Sequence, residues 1–96
     1  MISVSITKDN AKYKKIVVSG HALYDDYGKD IVCSAVSSIT TTTINGILSL
    51  DKDSLSYEVN EDGLKIIINS DDNVTQTLIQ NMINLLITYI AFSSPS

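Results

Sequence analysis

Twice along this 96-residue chain the apolar side chains switch from a spacing of two to a spacing of three and four. Ile2, Val4 and Ile6 alternate with Ser3, Ser5 and Thr7, the period of a strand with one buried face. Lys8-Asp9-Asn10 predicts a turn, and a second strand follows from Tyr13 to Ser19, centred on Ile16-Val17-Val18, so the first two strands form a hairpin. Gly20 ends it. Residues 21–29 follow no period and read as a loop, the kind of segment where function concentrates when a rigid scaffold holds it. Asp30 is a suitable N-cap, and after it Ile31, Val32, Ala35, Val36, Ile39, Ile47 and Leu48 recur at helical spacing, predicting a helix from about Ile31 to Ser49. The run Thr40 to Thr43 is poor in helix propensity, a preference that apolar faces on either side override.

The second round repeats the first. Ser56 to Val59 form a third strand, Glu61-Asp62-Gly63 a hairpin turn, and Leu64 to Ile68 a fourth strand. Asn73 with Gln76 three residues on is a capping-box signal, and Val74, Leu78, Met82, Leu85, Leu86, Tyr89 and Ile90 then mark the buried stripe of a second helix. The order is therefore ββαββα. It predicts an α+β fold, an α/β sandwich in which a four-stranded antiparallel or mixed sheet is packed with two long helices on one face. No Pro/Gly/Ser-rich stretch divides the interior, so residues 1–96 are expected to form a single domain. A chain this small buries limited surface alone, which favours a homodimer.

Charge and cysteine usage exclude several classes. The formal net charge is -4, and the lysines are scattered apart from Lys12, Lys14 and Lys15, so no nucleic-acid partner is expected. A basic polypeptide would be attracted instead. One cysteine allows no intramolecular disulfide and no multi-cysteine zinc site, which suits the reducing cytoplasm. The start of the chain, Met1 to Ile6, has neither a basic n-region nor a long apolar run, so no secretory or mitochondrial address is expected. The apolar stretch from Val74 to Phe92 is interrupted by Thr75, Gln76, Thr77, Gln80, Asn81, Asn84 and Thr88, and reads as an amphipathic helix, with no membrane partner.

The single histidine and the single cysteine stand twelve positions apart, His21 at the exit of a strand and Cys33 in the first turn of a helix. Backbone N–H groups without helical partners and the helix dipole both favour a thiolate there. A neighbouring imidazolium would lower the thiol pKa further and could return a proton to a leaving amine, while free N–H groups could form an oxyanion hole. Spacing alone leaves a second reading open, in which Cys33 is an inert core residue among Ile31 and Val32 and His21 is structural.

The wording of the segment adds to this. Gly20-His21-Ala22, then Tyr24, Gly28 and Asp30-Ile31-Val32-Cys33, with Ala35-Val36-Ser37 behind, resembles the ribosomal-processing cysteine proteases of the Prp (YsxB-like) family. The resemblance covers residues 19–39, and chain length and element order agree with it elsewhere. It implies that Cys33 is the nucleophile and His21 the general base, and that no cofactor is needed. The implied substrate is the N-terminal extension of large-subunit ribosomal protein L twenty-seven, cut after a phenylalanine. It also implies a homodimer with a loop over the active site, corresponding here to residues 22–29. Position 34 is serine where relatives often have alanine, and the threonine run departs from the family pattern.

Further matching positions carry two readings each. Asp30 could orient His21 or cap the helix. Gly20 and Gly28 would supply backbone freedom at the loop ends. Ser37, one turn beyond Cys33, could line the site or fill space. Tyr24 and Tyr27 could floor a groove for an apolar substrate residue or close the core beneath the loop. Two competing functions are a non-catalytic dimeric module that holds a basic ribosomal partner, and metal binding through His21, Cys33 and Asp30. The latter offers three ligands where structural zinc takes four, so no metal is expected.

Overall fold

The alternating segments pair as two antiparallel hairpins lying side by side. The computed structural model describes residues 2–20 and 31–93, and its elements are β1 (Ser3–Asp9), β2 (Lys12–Ser19), α1 (Ile31–Leu50), β3 (Leu55–Asn60), β4 (Gly63–Ile68) and α2 (Asn73–Ser93). The strand order is β1-β2-β4-β3, with every neighbouring pair antiparallel, so the expected ββαββα arrangement holds. Register aligns Val4, Val18, Leu64 and Val59 in one row across the sheet, and Ile6, Ile16, Ile66 and Tyr57 in the next. Directly opposed residues share a face, so one side of the sheet is apolar throughout. Both helices cover the middle of that side, whereas its margins stay open: Ile6 of β1, expected on a buried face, and Tyr57 and Val59 of β3 are exposed because they lie on the outer strands. Ile16, Val18, Leu55, Leu64, Ile66 and Ile68 are buried with Val36, Ile44 and Ile47 of α1 and Ile79, Met82, Ile83 and Leu86 of α2 in one core. Among the described residues, no helix is long and apolar enough to cross a membrane.

The first turn sits later than the sequence suggests. Lys8 and Asp9 continue β1 opposite Tyr13 and Lys12, and the reversal falls on Asn10 and Ala11, with φ of 52° and 66°. Two consecutive positive-φ residues match the twist of a tight hairpin. The register slips between Thr7 and Lys8, which leaves Lys14 as the extra residue of a bulge. Its ammonium lies 2.7 Å from Asp71 Oδ1, and this hydrogen bond holds the Asp71 carboxyl below its ordinary range.

The start of α2 also differs from expectation. Asp72, not Asn73, is the cap: its Oδ2 accepts from the N–H groups of Val74 at 3.1 Å and Thr75 at 3.4 Å. Gln76 does not reach back as a capping-box residue. It is buried, its Oε1 accepting from Tyr13 N–H at 2.8 Å and its Nε2 donating to Tyr13 O at 3.1 Å and Ser70 O at 3.0 Å. The reason lies in the sheet, because β4 pairs with β2 only from Lys15 onward and Tyr13 extends beyond that ladder. Buried backbone groups need partners, and Gln76 supplies them.

Anchoring Gln76 against β2 turns the helix. Its buried residues are Thr75, Gln76, Ile79, Met82, Ile83 and Leu86, a stripe rotated by roughly 70° from the expected one at 100° per residue. Val74, Leu85 and Tyr89 are consequently exposed, at 51%, 42% and 38%. In α1 the buried line is Cys33, Val36, Thr40, Ile44 and Ile47. Thr40 tolerates complete burial because its hydroxyl donates to Val36 O at 3.0 Å, with Ser37 O at 3.1 Å.

Candidate active site

The site is built at one end of the sheet. β2 leaves the sheet at Gly20, whose N–H donates to Asp62 O at 3.3 Å in the β3–β4 turn. That turn is closed by Asn60, whose Oδ1 accepts from Asp62 N–H at 2.8 Å and Gly63 N–H at 3.1 Å. Gly63 lies opposite Ser19 with φ of 142°, and a Cβ there would stand 2.1 Å from Val18 O. The close approach sets where the chain departs. On the other side, α1 begins at Ile31, runs to Leu50 and returns through residues 51–54 into β3. Its first turn therefore lies toward the same end as Asn60, Asp62 and Gly20.

Cys33 is the third residue of α1 and is 6% exposed. The positive end of the helix dipole lies in this first turn, an environment that favours a thiolate. Ser37, one turn onward, is half-buried, while Ser34 is exposed. Of the residues singled out from sequence, Gly20, Cys33 and Ser37 are thus placed by the fold. His21, Tyr24, Tyr27, Gly28 and Asp30 lie outside the described residues. Among the described residues, no three His, Cys, Asp or Glu side chains gather as a metal site. The sequence reading missed the support given by the β3–β4 turn. Its signal was present in Asn60, an Asx-turn former three positions before Gly63.

The cysteine protease Prp family profile matches residues 1–94. This chain belongs to the Prp cysteine protease family. Over 87 residues it is 30% identical to the ribosomal processing cysteine protease Prp of Staphylococcus aureus, a match spanning 86% of this chain and 82% of the relative. Among solved structures, it is similar to the essential ribosomal processing protease Prp from S. aureus in complex with a covalently linked product peptide. There the TM-score is 0.81 at 27% identity, over 96% of this chain and 91% of the other. The same S. aureus protease in complex with a substrate peptide superposes with a TM-score of 0.78 at 27% identity, over 95% and 90%. A Streptococcus mutans protein superposes with a TM-score of 0.81 at 27% identity, over 97% and 86%. The Prp resemblance read from residues 19–39 therefore extends along nearly the whole chain, and the protein is a cysteine protease.

Proposed function

We propose that this Prp protease is a cytoplasmic endopeptidase that removes the N-terminal extension of large-subunit ribosomal protein L twenty-seven, with Cys33 as nucleophile and His21 as general base. One observation carries the assignment of the nucleophile: a member of a cysteine protease family holds a single cysteine, and that cysteine stands in the first turn of α1. A ribosomal substrate is supported by the S. aureus relative, a ribosomal processing protease captured with a substrate peptide and with a product peptide. An acidic enzyme suits a basic ribosomal protein, since opposite charge speeds encounter.

The chemistry proceeds in two halves. The Cys33 thiolate attacks the carbonyl carbon of the scissile peptide bond, forming a tetrahedral oxyanion that hydrogen-bond donors beside the thiol stabilise. As the C–N bond breaks, protonated His21 gives its proton to the departing amine, leaving a thioester on Cys33. His21 then takes a proton from water, the resulting hydroxide equivalent attacks the thioester, and the thiolate departs with the new carboxylate formed. Asp30 orients the imidazole or caps α1, and Tyr24, Tyr27, Gly28 and Ser37 shape the surroundings of the substrate. We also propose that the active form is a homodimer.

A peptide carrying the ribosomal extension tests this directly. Iodoacetamide should modify Cys33 in the folded protein and abolish cleavage, as should Cys33→Ala, while His21→Ala should slow cleavage by about 10²–10⁴-fold, the usual contribution of a general acid–base, without abolishing binding. A folded protein whose Cys33 resists alkylation until denatured would refute the nucleophile. Wild-type cleavage by His21→Ala would refute the base, and a protein that binds the peptide without cutting it would be the silent module.

A further inference from the structure

We infer that the cleft between α1 and the edge strand β3 is a second substrate-docking subsite, which takes an extended segment of the polypeptide with apolar and cationic residues, several positions away from the bond that is cut. The inference rests on the proteolytic reading above and deepens it. Thr41, Ile44 and Asn45 of α1 line one wall, and Tyr57, Val59 and Leu64 form the floor and the other wall. Tyr57 and Val59 lie on the helix-facing side of the sheet, in the same rows as the buried Ile66 and Leu64, yet they are 52% and 49% exposed. α1 thus leaves open the outer margin of the very face it covers. Among the described residues β3 pairs with β4 alone, which leaves its outer backbone edge open to strand addition.

Charge and distance select the occupant. Asp51 and Asp53 precede β3, Glu58 lies on it, and Glu61 and Asp62 follow it, against only Lys52 and Lys65 over the same stretch. Glu58 approaches Lys65 at 3.9 Å, and both remain largely exposed. An edge with this excess of carboxylates attracts a cationic strand and repels an acidic one, a second copy of this acidic chain included. Thr41 and Asn45 lie roughly 12–18 Å along α1 from Cys33 at 1.5 Å per residue. An extended peptide rises about 3.3 Å per residue, so the cleft meets substrate about four to six residues from the scissile bond. The cleft and the asparagine-closed turn at Asn60 share the end of β3 that faces the first turn of α1, so one extended chain can reach both.

Val59→Arg tests the subsite by blocking the cleft and placing a cation in it, and Tyr57→Ser removes the opposite contact from an exposed position that tolerates truncation. The probes are a long peptide, carrying the ribosomal extension and the basic start of the mature protein, and a short peptide ending three residues either side of the cut. For both variants the KM for the long peptide should rise about tenfold. Short-peptide kcat/KM and the rate of Cys33 alkylation by iodoacetamide should stay at the wild-type values. Affinity of the wild type for the labelled long peptide should fall with added salt. Unchanged KM and affinity for the long peptide in both variants would overturn the subsite and leave the protease assignment standing, as would a variant whose only change is loss of dimer by sedimentation. Long-peptide binding that Val59→Arg abolishes, in a wild-type protein that never cuts either peptide, would uphold the subsite and refute the assigned processing. A wild type that fails to bind the long peptide would overturn the subsite.

Discussion

Gly63→Ala should remove much of the stability of this fold, and the magnitude can be worked from one contact. At φ of 142° an L side chain is strained, at a cost of about 1–3 kcal/mol. The added Cβ would also stand 2.1 Å from Val18 O and 2.9 Å from Ser19 Cα. Both are backbone atoms of the central strand β2, so no rotamer change relieves the overlap. The ladder must open at the Ser19–Gly63 rung, at about 0.5–1.5 kcal/mol for each hydrogen bond weakened. The total is about 2–5 kcal/mol, against a stability of roughly 5–14 kcal/mol for a chain this long. Urea titration followed by circular dichroism should show the midpoint fall with the slope unchanged, and Tm should drop by at least about 10 °C. The displaced β3–β4 turn would also move Asp62 O, which holds Gly20, the residue before the proposed base His21, so cleavage should fall by more than the unfolded fraction explains. A Gly63→Ala protein within about 0.5 kcal/mol of wild type would refute the close approach and the role given to that turn.

Ala11→Gly should stabilise the protein by about 0.5–1 kcal/mol, since Ala11 occupies φ of 66° in the first turn and glycine carries no Cβ penalty there; an unchanged urea midpoint would count against that turn geometry. Gln76→Leu should cost about 2–3 kcal/mol by leaving the Tyr13 N–H and C=O without partners, and hydrogen exchange at the Tyr13 amide should accelerate; retained protection there would mean another group satisfies it. Val74, Leu78, Leu85 and Tyr89 form an apolar margin of α2 that the sheet and α1 leave partly uncovered, and Leu85→Lys should weaken a homodimer at micromolar concentration in sedimentation velocity, whereas a wild type that stays monomeric at high concentration would refute the dimer.

The strands and helices were legible because period is a local property. Ile16 and Val18 alternate with half-buried or exposed neighbours in the structure as they do against the sequence template, and the Asn60 to Gly63 turn is where turn chemistry places it. The errors share one origin. Lys14 is an extra residue in β2, the bulge carries Tyr13 past the end of the β4 ladder, and Gln76 fills the gap from α2. That contact is 63 positions apart in sequence, and it both removes Gln76 from the cap and rotates the buried stripe onto Ile79 and Ile83. No window centred on α2 contains the strand end that decides its orientation, so the local pattern spread its stripe over Val74, Leu85 and Tyr89. The same logic separates the two halves of the site. The helix start that places Cys33 was legible from local signals, whereas the support beneath Gly20 comes from Asp62 and Gly63, which only the β2–β4 pairing brings to it. On the proposed mechanism the sheet acts through position: it fixes Gly20, the residue before His21, while α1 fixes Cys33. A variant that shifts the β3–β4 turn without touching Cys33 should lower kcat and spare alkylation of the thiol, which distinguishes a misplaced base from a lost nucleophile.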